Sequence, residues 1–315
     1  MENFRLRVFR AVARHLNFRQ AAEELLLTQP AVTQQIKALE SELATALFDR
    51  TGGHVALTAA GEALLPYAEK LAALAQEARS AVAAATGGSA GHLAIAASQT
   101  IGQYLLPRLI AGFLREHPRV EIAVTGGNTQ QVLEALAEHR VQLGLIEGPP
   151  MRRDLCVDPF MEDHMVCVVP PGHEWANEEL DVVDLRQATL LTRELGSGSR
   201  RIVEQALDEA GLPVRELRLG MTFDSTEGLL TAVEAGLGIA FVSRWAVRNQ
   251  LALGTLALAR IRNLKLARMF SIATPTGPGP VGIVGAFHDF VVWRAREVAS
   301  RSGSPDSKKR KTSAG

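Results

Sequence analysis

The chain has 315 residues, 47% apolar and 22% charged, the balance of a soluble globular protein of about two domains. Its 34 Lys and Arg against 34 Asp and Glu leave a formal net charge of zero, which argues against a uniformly basic nucleic-acid coat. No run approaches about 20 apolar residues, the start lacks a secretory core, and Cys156 and Cys167 form no CxxC pair, so a cytoplasmic chain without a membrane span is expected.

The first elements are compact helices. Phe4, Phe9, Val12, Ala13 and Leu16 recur at helical spacing, and Asn17 offers a side-chain cap for a second helix over 18–25. Thr28 is a natural N-cap for a third helix over 29–43, with Pro30 in the first turn where a missing N–H costs nothing. Val32, Ile36, Leu39 and Leu43 form its apolar side, and Pro30, Thr33, Gln34 and Lys37 its outer side. This is the spacing of a helix-turn-helix, whose second helix enters the major groove and reads bases from its N-terminal half. Gln suits adenine edges, and Lys suits guanine edges or phosphate. A three-helix packing unit with an ordinary solvated face has the same spacing.

Two short strands around Gly52-Gly53 then predict a hairpin, or wing, that brings Arg50 within reach of a phosphate. From Leu57 a heptad seam begins: Gly61, Leu64, Ala68, Leu71, Ala75, Ala78, Val82 and Ala85, flanked by charge. A seam this regular predicts a dimerising helix. The Gly- and Ser-rich stretch 86–91 predicts a linker.

Beyond it strands and helices alternate. Strands are expected over 93–97, 120–125 and 143–146, with helices over 101–116 and 129–138. A second set starts with a strand over 166–169. It continues with strands over 190–192, 219–223 and 239–242 and helices over 199–210 and 226–235. Two such sets predict two lobes of doubly wound α/β type. A strand over 268–274 and a helix over 281–300 return to the first lobe, and a basic tail over 301–315 is expected to be disordered. His164 and Cys167 fall on opposite faces of a strand, which makes no metal site.

Residues 18–61 resemble the signature of the LysR-type transcriptional regulators. The matching pieces are Ala21-Ala22, Thr28-Gln29-Pro30-Ala31-Val32-Thr33, Ile36-Lys37-Ala38-Leu39-Glu40, Leu47-Phe48-Asp49-Arg50 and Leu57-Thr58-Ala59-Ala60-Gly61. Gly144-Leu145, Pro170-Pro171-Gly172-His173 and Gly236-Leu237-Gly238-Ile239 extend the resemblance to about residue 300. Two positions depart from the pattern. Leu43-Ala44 stands where the family has Leu-Gly, and Gly52-Gly53-His54 stands where it has a basic wing tip.

The resemblance implies an N-terminal winged helix-turn-helix (1–58), a dimerising linker helix and hinge (59–88), and a two-lobed effector domain like a periplasmic binding protein. Lobe I would comprise 89–167 with 267–300, and lobe II 168–266. It implies a homodimer, often paired into a tetramer, that binds a dyad near a promoter and answers to a small molecule. Arg19, Thr28, Gln29, Pro30, Thr33, Gln34, Lys37 and Arg50 are the expected DNA contacts. No cofactor and no catalysis are expected, because no His sits in an evident base position.

In doubly wound sheets ligands lie beyond the carboxyl ends of strands, against helix N-termini. That rule selects Ser98, Gln99 and Thr100; Asn128 and Thr129; Arg193, Gly198, Ser199 and Arg200; and Ser225 and Thr226. Hydroxyls, backbone N–H groups and helix ends favour an anion. Gly196-Ser197-Gly198-Ser199-Arg200 has neither the third glycine of a dinucleotide fingerprint nor the Lys of a P-loop. Its likeness, with Glu147-Gly148-Pro149, to a subgroup that includes sulfur and carbon assimilation regulators implies a small oxyanion or sugar phosphate. Glu147 opposes an anion if it faces the cleft. An Arg partner, or an amino group on the ligand, is the alternative.

Overall fold

The computed structural model describes residues 3–50, 54–85, 91–148, 154–277 and 279–302; the wing turn, most of the linker, Pro149 and the basic tail beyond Ser302 lie outside them. The chain divides into one unit of 1–88 with 138–142 and another of 89–137 with 143–315.

The first unit holds α1 (Phe4–His15), α2 (Phe18–Leu25) and α3 (Gln29–Glu42), then strands β1 (Phe48–Asp49) and β2 (Ala56–Leu57), and the long helix α4 (Ala59–Ala85). Each start follows from a cap written in the sequence. Asn17 Oδ1 accepts from the N–H groups of Arg19 and Gln20, and Thr28 Oγ1 from that of Ala31. β1 and β2 pair antiparallel, Phe48 opposite Leu57, and make the hairpin. The Glu40 carboxylate receives the N–H groups of Leu47 and Phe48 at 2.9 and 3.3 Å, fixing the path from α3 into β1. The core gathers Phe9, Phe18 and Phe48 with Val12, Val32, Ile36 and Leu39. Leu43 is not part of it: it caps α3 and is exposed.

α4 uses its seam in two ways. Gly61 and Ala68 are buried, and Ala68 and Leu64 join the core of this unit. A Cβ on Gly61 would stand 2.2 Å from the Leu47 carbonyl oxygen, so only glycine allows that approach. Tyr67, Leu71, Leu74 and Val82 instead point to solvent, each half exposed or more. Of the predicted seam, Gly61, Leu64, Ala68 and Ala75 therefore turn inward, while Leu71 and Val82 join Tyr67 and Leu74 in an outward apolar stripe.

The second unit carries an eight-stranded sheet in the order β4 (Val120–Gly127), β3 (Gly91–Ser98), β5 (Leu143–Glu147), β12 (Ala267–Pro275), β6 (Leu155–Val169), β11 (Ala257–Ile261), β7 (Glu179–Leu180), with β10 (Ala240–Ser243) also on β6. Gly91, expected in the linker, already opens β3. β6 is fifteen residues long where only its last four were expected. It pairs with β12 up to His164 and with β10 from Met165, so one strand passes from one lobe to the other. A separate parallel pair, β8 (Thr189–Arg193) and β9 (Arg218–Phe223), belongs to the second lobe. β7, β11 and α9 (Arg248–Leu253) had no expectation from the sequence.

Helices α5 (Leu106–Glu116), α6 (Thr129–Ala137) and α10 (Gly282–Ser302) cover the first lobe, with Phe113, Phe287 and Phe290 stacked edge to face. α7 (Gly198–Glu209) and α8 (Thr226–Glu234) cover the second. The helix expected over 101–116 opens with a wider π-type turn, Ile101–Leu105. Cys167 is buried and its thiol pushed up to about 12 by burial, while Cys156 on the same strand is exposed.

Candidate functional site

The DNA-facing candidates lie together on the outside of the first unit. Thr28, the cap of α3, and Gln29, Pro30, Gln34 and Lys37 on that helix are exposed, and Thr33 turns its hydroxyl back to the Gln29 carbonyl oxygen. Arg19 is exposed at the start of α2, 3.7 Å from Glu23. Arg50 is differently engaged: its guanidinium lies 4.5 Å over the Phe18 ring and 3.5 Å from Glu40, which ties it to the fold.

The polar candidates of the second unit converge where its two lobes meet. Ser98 ends β3, Thr100 lies just beyond it, Glu147 closes β5, and Ser199 lies in the first turn of α7; all four are buried. At the centre stands the Glu147 carboxylate. Oε1 accepts the Thr100 N–H at 2.8 Å, and Oε2 accepts the Ser199 hydroxyl at 3.0 Å and Arg268 Nη1 at 2.6 Å. Arg268 also donates from Nε to Asp163 at 2.7 Å, and Ser243 donates to the other Asp163 oxygen at 2.8 Å. The side chain of Arg268 is wholly buried, and those of Glu147 and Asp163 nearly so.

Two carboxylates thus share one guanidinium. Burial alone would raise the pKa of Glu147, but Arg268 and the hydroxyls of Ser98, Ser199 and Thr100 outweigh it and hold the group below its ordinary value. At Asp163 burial wins over Arg268 and the pKa is raised. The Ser98 hydroxyl sits near Glu147 yet makes no hydrogen bond of normal geometry, a buried polar atom without a partner among the described residues.

A second group joins the rims of the lobes. The Gln99 amide donates to the Asp224 carbonyl oxygen at 2.5 Å and accepts from the Thr226 N–H at 3.0 Å. Asn128 donates to Glu194 at 3.1 Å, and Tyr104 donates to Glu227. Arg193 is buried and donates to Glu194, Thr226 and the Phe223 and Asp224 carbonyls, which holds the loop before α8; Ser225 caps that helix. Thr129 donates to the Glu147 carbonyl oxygen, and a Cβ on Gly198 would stand 2.1 Å from that oxygen. Gly198 therefore serves the close approach of α7 to β5.

The structure does not bring Arg200 to the cluster. Its guanidinium turns to Glu204 at 2.6 Å and to the Arg193 carbonyl at 3.1 Å. Arg268, Asp163 and Ser243 had no signal in the sequence, because they come from three strands that only the folded sheet brings together: β12 pairs with β5 and β6, and β10 with β6. A pocket in the second lobe is lined by Leu190, Val203, Leu229 and Phe241 together with Thr192, Arg193, Ser199, Arg200 and Glu204.

With this geometry in hand, comparison with known proteins is direct. Residues 4–62 match the family described as bacterial regulatory helix-turn-helix protein, lysR family, and residues 86–295 match the LysR substrate binding domain. The chain belongs to the LysR family of transcriptional regulators. Among its relatives are a probable RuBisCO transcriptional regulator of Cyanophora paradoxa, 36% identical over 85% of this chain and 84% of that one, and the regulator CysL of Bacillus subtilis, 36% identical over 84% and 88%. A full-length crystal structure of CbnR with its target DNA superposes with a TM-score of 0.68 at 25% identity, over 94% of this chain and all of that one. This LysR regulator is therefore a DNA-binding protein with an effector domain, and its relatives are regulators, not enzymes. Among its described residues no helix is long and apolar enough to cross a membrane.

Proposed function

We propose that this regulator binds a promoter dyad as a homodimer and changes its grip on DNA when a small oxyanion metabolite binds between the lobes of its effector domain. The effector reading is carried by one observation: the Thr100 N–H, the hydroxyls of Ser98, Ser199 and Thr100, and the Arg268 guanidinium are buried around a single point. Amide, hydroxyl and guanidinium donors at helix starts are the chemistry of oxyanion recognition. The dimer is supported by the outward stripe Tyr67, Leu71, Leu74 and Val82 on α4, which a second copy of the helix would cover. One small helix-turn-helix reads too few bases to select a promoter, and two-fold pairing doubles the specific contacts.

Footprinting and gel shift on the native promoter test the DNA half. Gln34→Ala should cost about 1–3 kcal/mol of specific binding and relax base selectivity. Lys37→Ala should either do the same or, through phosphate, lower the salt slope by about one. Parental footprints from both variants at moderate salt would mean that α3 is not the reader.

A further inference from the structure

The Thr100 N–H, the Ser199 hydroxyl and the Arg268 guanidinium, which an oxyanion effector would use, are already in use. Glu147 takes the Thr100 N–H on one oxygen and Ser199 and Arg268 on the other. Its carboxylate has the size and charge of the head group that this donor set suits. Arg268 is shared with Asp163 as well, so among the described residues the cluster holds two acids against one base, with no surplus positive charge to offer a further anion. An anion added beside Glu147 would be repelled in a medium that screens poorly. An anion put in its place would meet the same donors, with the idle Ser98 hydroxyl available besides.

We infer that Glu147 is a built-in occupant of the effector site, and that an oxyanion effector binds by exchange, taking the donors of Thr100, Ser199 and Arg268 as the Glu147 side chain withdraws. The inference rests on reading the cluster between the lobes as the effector site. Withdrawal needs only side-chain rotation: Glu147 is the last residue of β5, and its backbone pairing with Phe270 need not break. The exchange makes the effector compete with a tethered carboxylate, so the affinity measured is the intrinsic one reduced by the fraction of molecules in which Glu147 has left. It also gives the two states different contacts across the cleft, because Glu147 belongs to the first lobe and Ser199 to the second. An effector can shift a conformational equilibrium only through such a difference.

Titration of the full-length protein with acetate, inorganic phosphate and sulfate, followed by calorimetry and thermal unfolding, tests this. Glu147→Ala leaves a carboxylate-sized gap lined by the original donors, and should bind acetate and phosphate about tenfold or more tightly than the parent. Glu147→Gln should gain less, since the amide still fills the space. Adding Ser199→Ala to Glu147→Ala should remove about fivefold of the gain, as fits one hydroxyl. If Glu147→Ala does not fold alone, restoration of its melting transition by acetate or phosphate supports the exchange. If nothing restores it, Glu147→Gln decides by the same comparison. Parental anion affinity in the Glu147 variants, with a parental phosphate affinity that falls in Ser199→Ala, overturns the exchange and leaves the cleft as the effector site. Tighter binding that ignores Ser199 places the anion elsewhere and overturns both.

Discussion

At the scale of single residues, two arginines that look alike in the sequence have opposite roles. Arg200 is on a helix surface and pairs with Glu204 one turn on, a partly exposed i to i+4 contact of the kind that contributes about 1 kcal/mol or less. Arg268 is wholly buried between two carboxylates. Replacing it by Ala leaves both acids without their cation, and loss of one member of such a pair costs about 3–5 kcal/mol. Urea unfolding of Arg200→Ala and Arg268→Ala should therefore give midpoints that differ widely, and equal midpoints would mean that the buried network does not hold the lobes. Ala44 is a second informative residue. It follows the cap of α3 with φ of +52°, while the Thr45 N–H bonds back to the Glu40 carbonyl and the Ala44 N–H to that of Ser41. This left-handed turn is where helices prefer glycine. Relief of about 1–2 kcal/mol of Cβ strain against about 0.5–1 kcal/mol of added chain entropy predicts that Ala44→Gly raises stability by about 0.5 kcal/mol. A lower thermal midpoint in the variant would show that the turn is not strained.

At the scale of elements, α4 shows how one periodic pattern serves two surfaces. Gly61, Leu64 and Ala68 meet the core of the DNA-binding unit, and Tyr67, Leu71, Leu74 and Val82 face outward. The choice of substitution follows. Ala75 is buried within the chain, so a charge there would damage the protomer itself. Leu71 is half exposed, so Leu71→Asp should leave the protomer folded and place like charges across the proposed dimer seam. Sedimentation should then report monomer, with operator binding lost in parallel. A dimer of parental mass with normal operator affinity would move the interface off this helix. The heptad spacing was legible in the sequence from end to end. What it did not contain is which seam positions the preceding three helices would claim.

At the scale of the whole molecule, the buried network links protons to folding with two opposite signs. Glu147 is held below its ordinary value of 4.5, so its charged form stabilises the native state above pH 4.5, and that contribution is lost as the pH falls through the folded value. Asp163 is raised above its ordinary 3.8, so its contribution is fullest below pH 3.8 and is lost as the pH rises through the folded value. Measured by urea midpoints across the acid range, the stability of the parent relative to Glu147→Gln should grow with rising pH. Relative to Asp163→Asn it should shrink. Two slopes of the same sign would show that the pair does not divide its charge as the geometry requires.

What the sequence determined by itself is what depends on neighbours along the chain. The Asn17 and Thr28 caps, the outer face of α3, the hairpin after Phe48 and the alternation of strands and helices all rest on contacts a few residues long, and they carried the family resemblance. Ser98, Thr100, Glu147 and Ser199 could be picked out because a strand end followed by a helix start is a local pattern. Their occupation by the chain's own charge was not legible there. Arg268 is 121 residues from Glu147 and 105 from Asp163, and nothing local marks it as the cation of the site rather than Arg200. Only the antiparallel pairing of β12 with both β5 and β6 places that guanidinium between two carboxylates, and register in a sheet is decided by the packing of whole strands, not by the residues that meet.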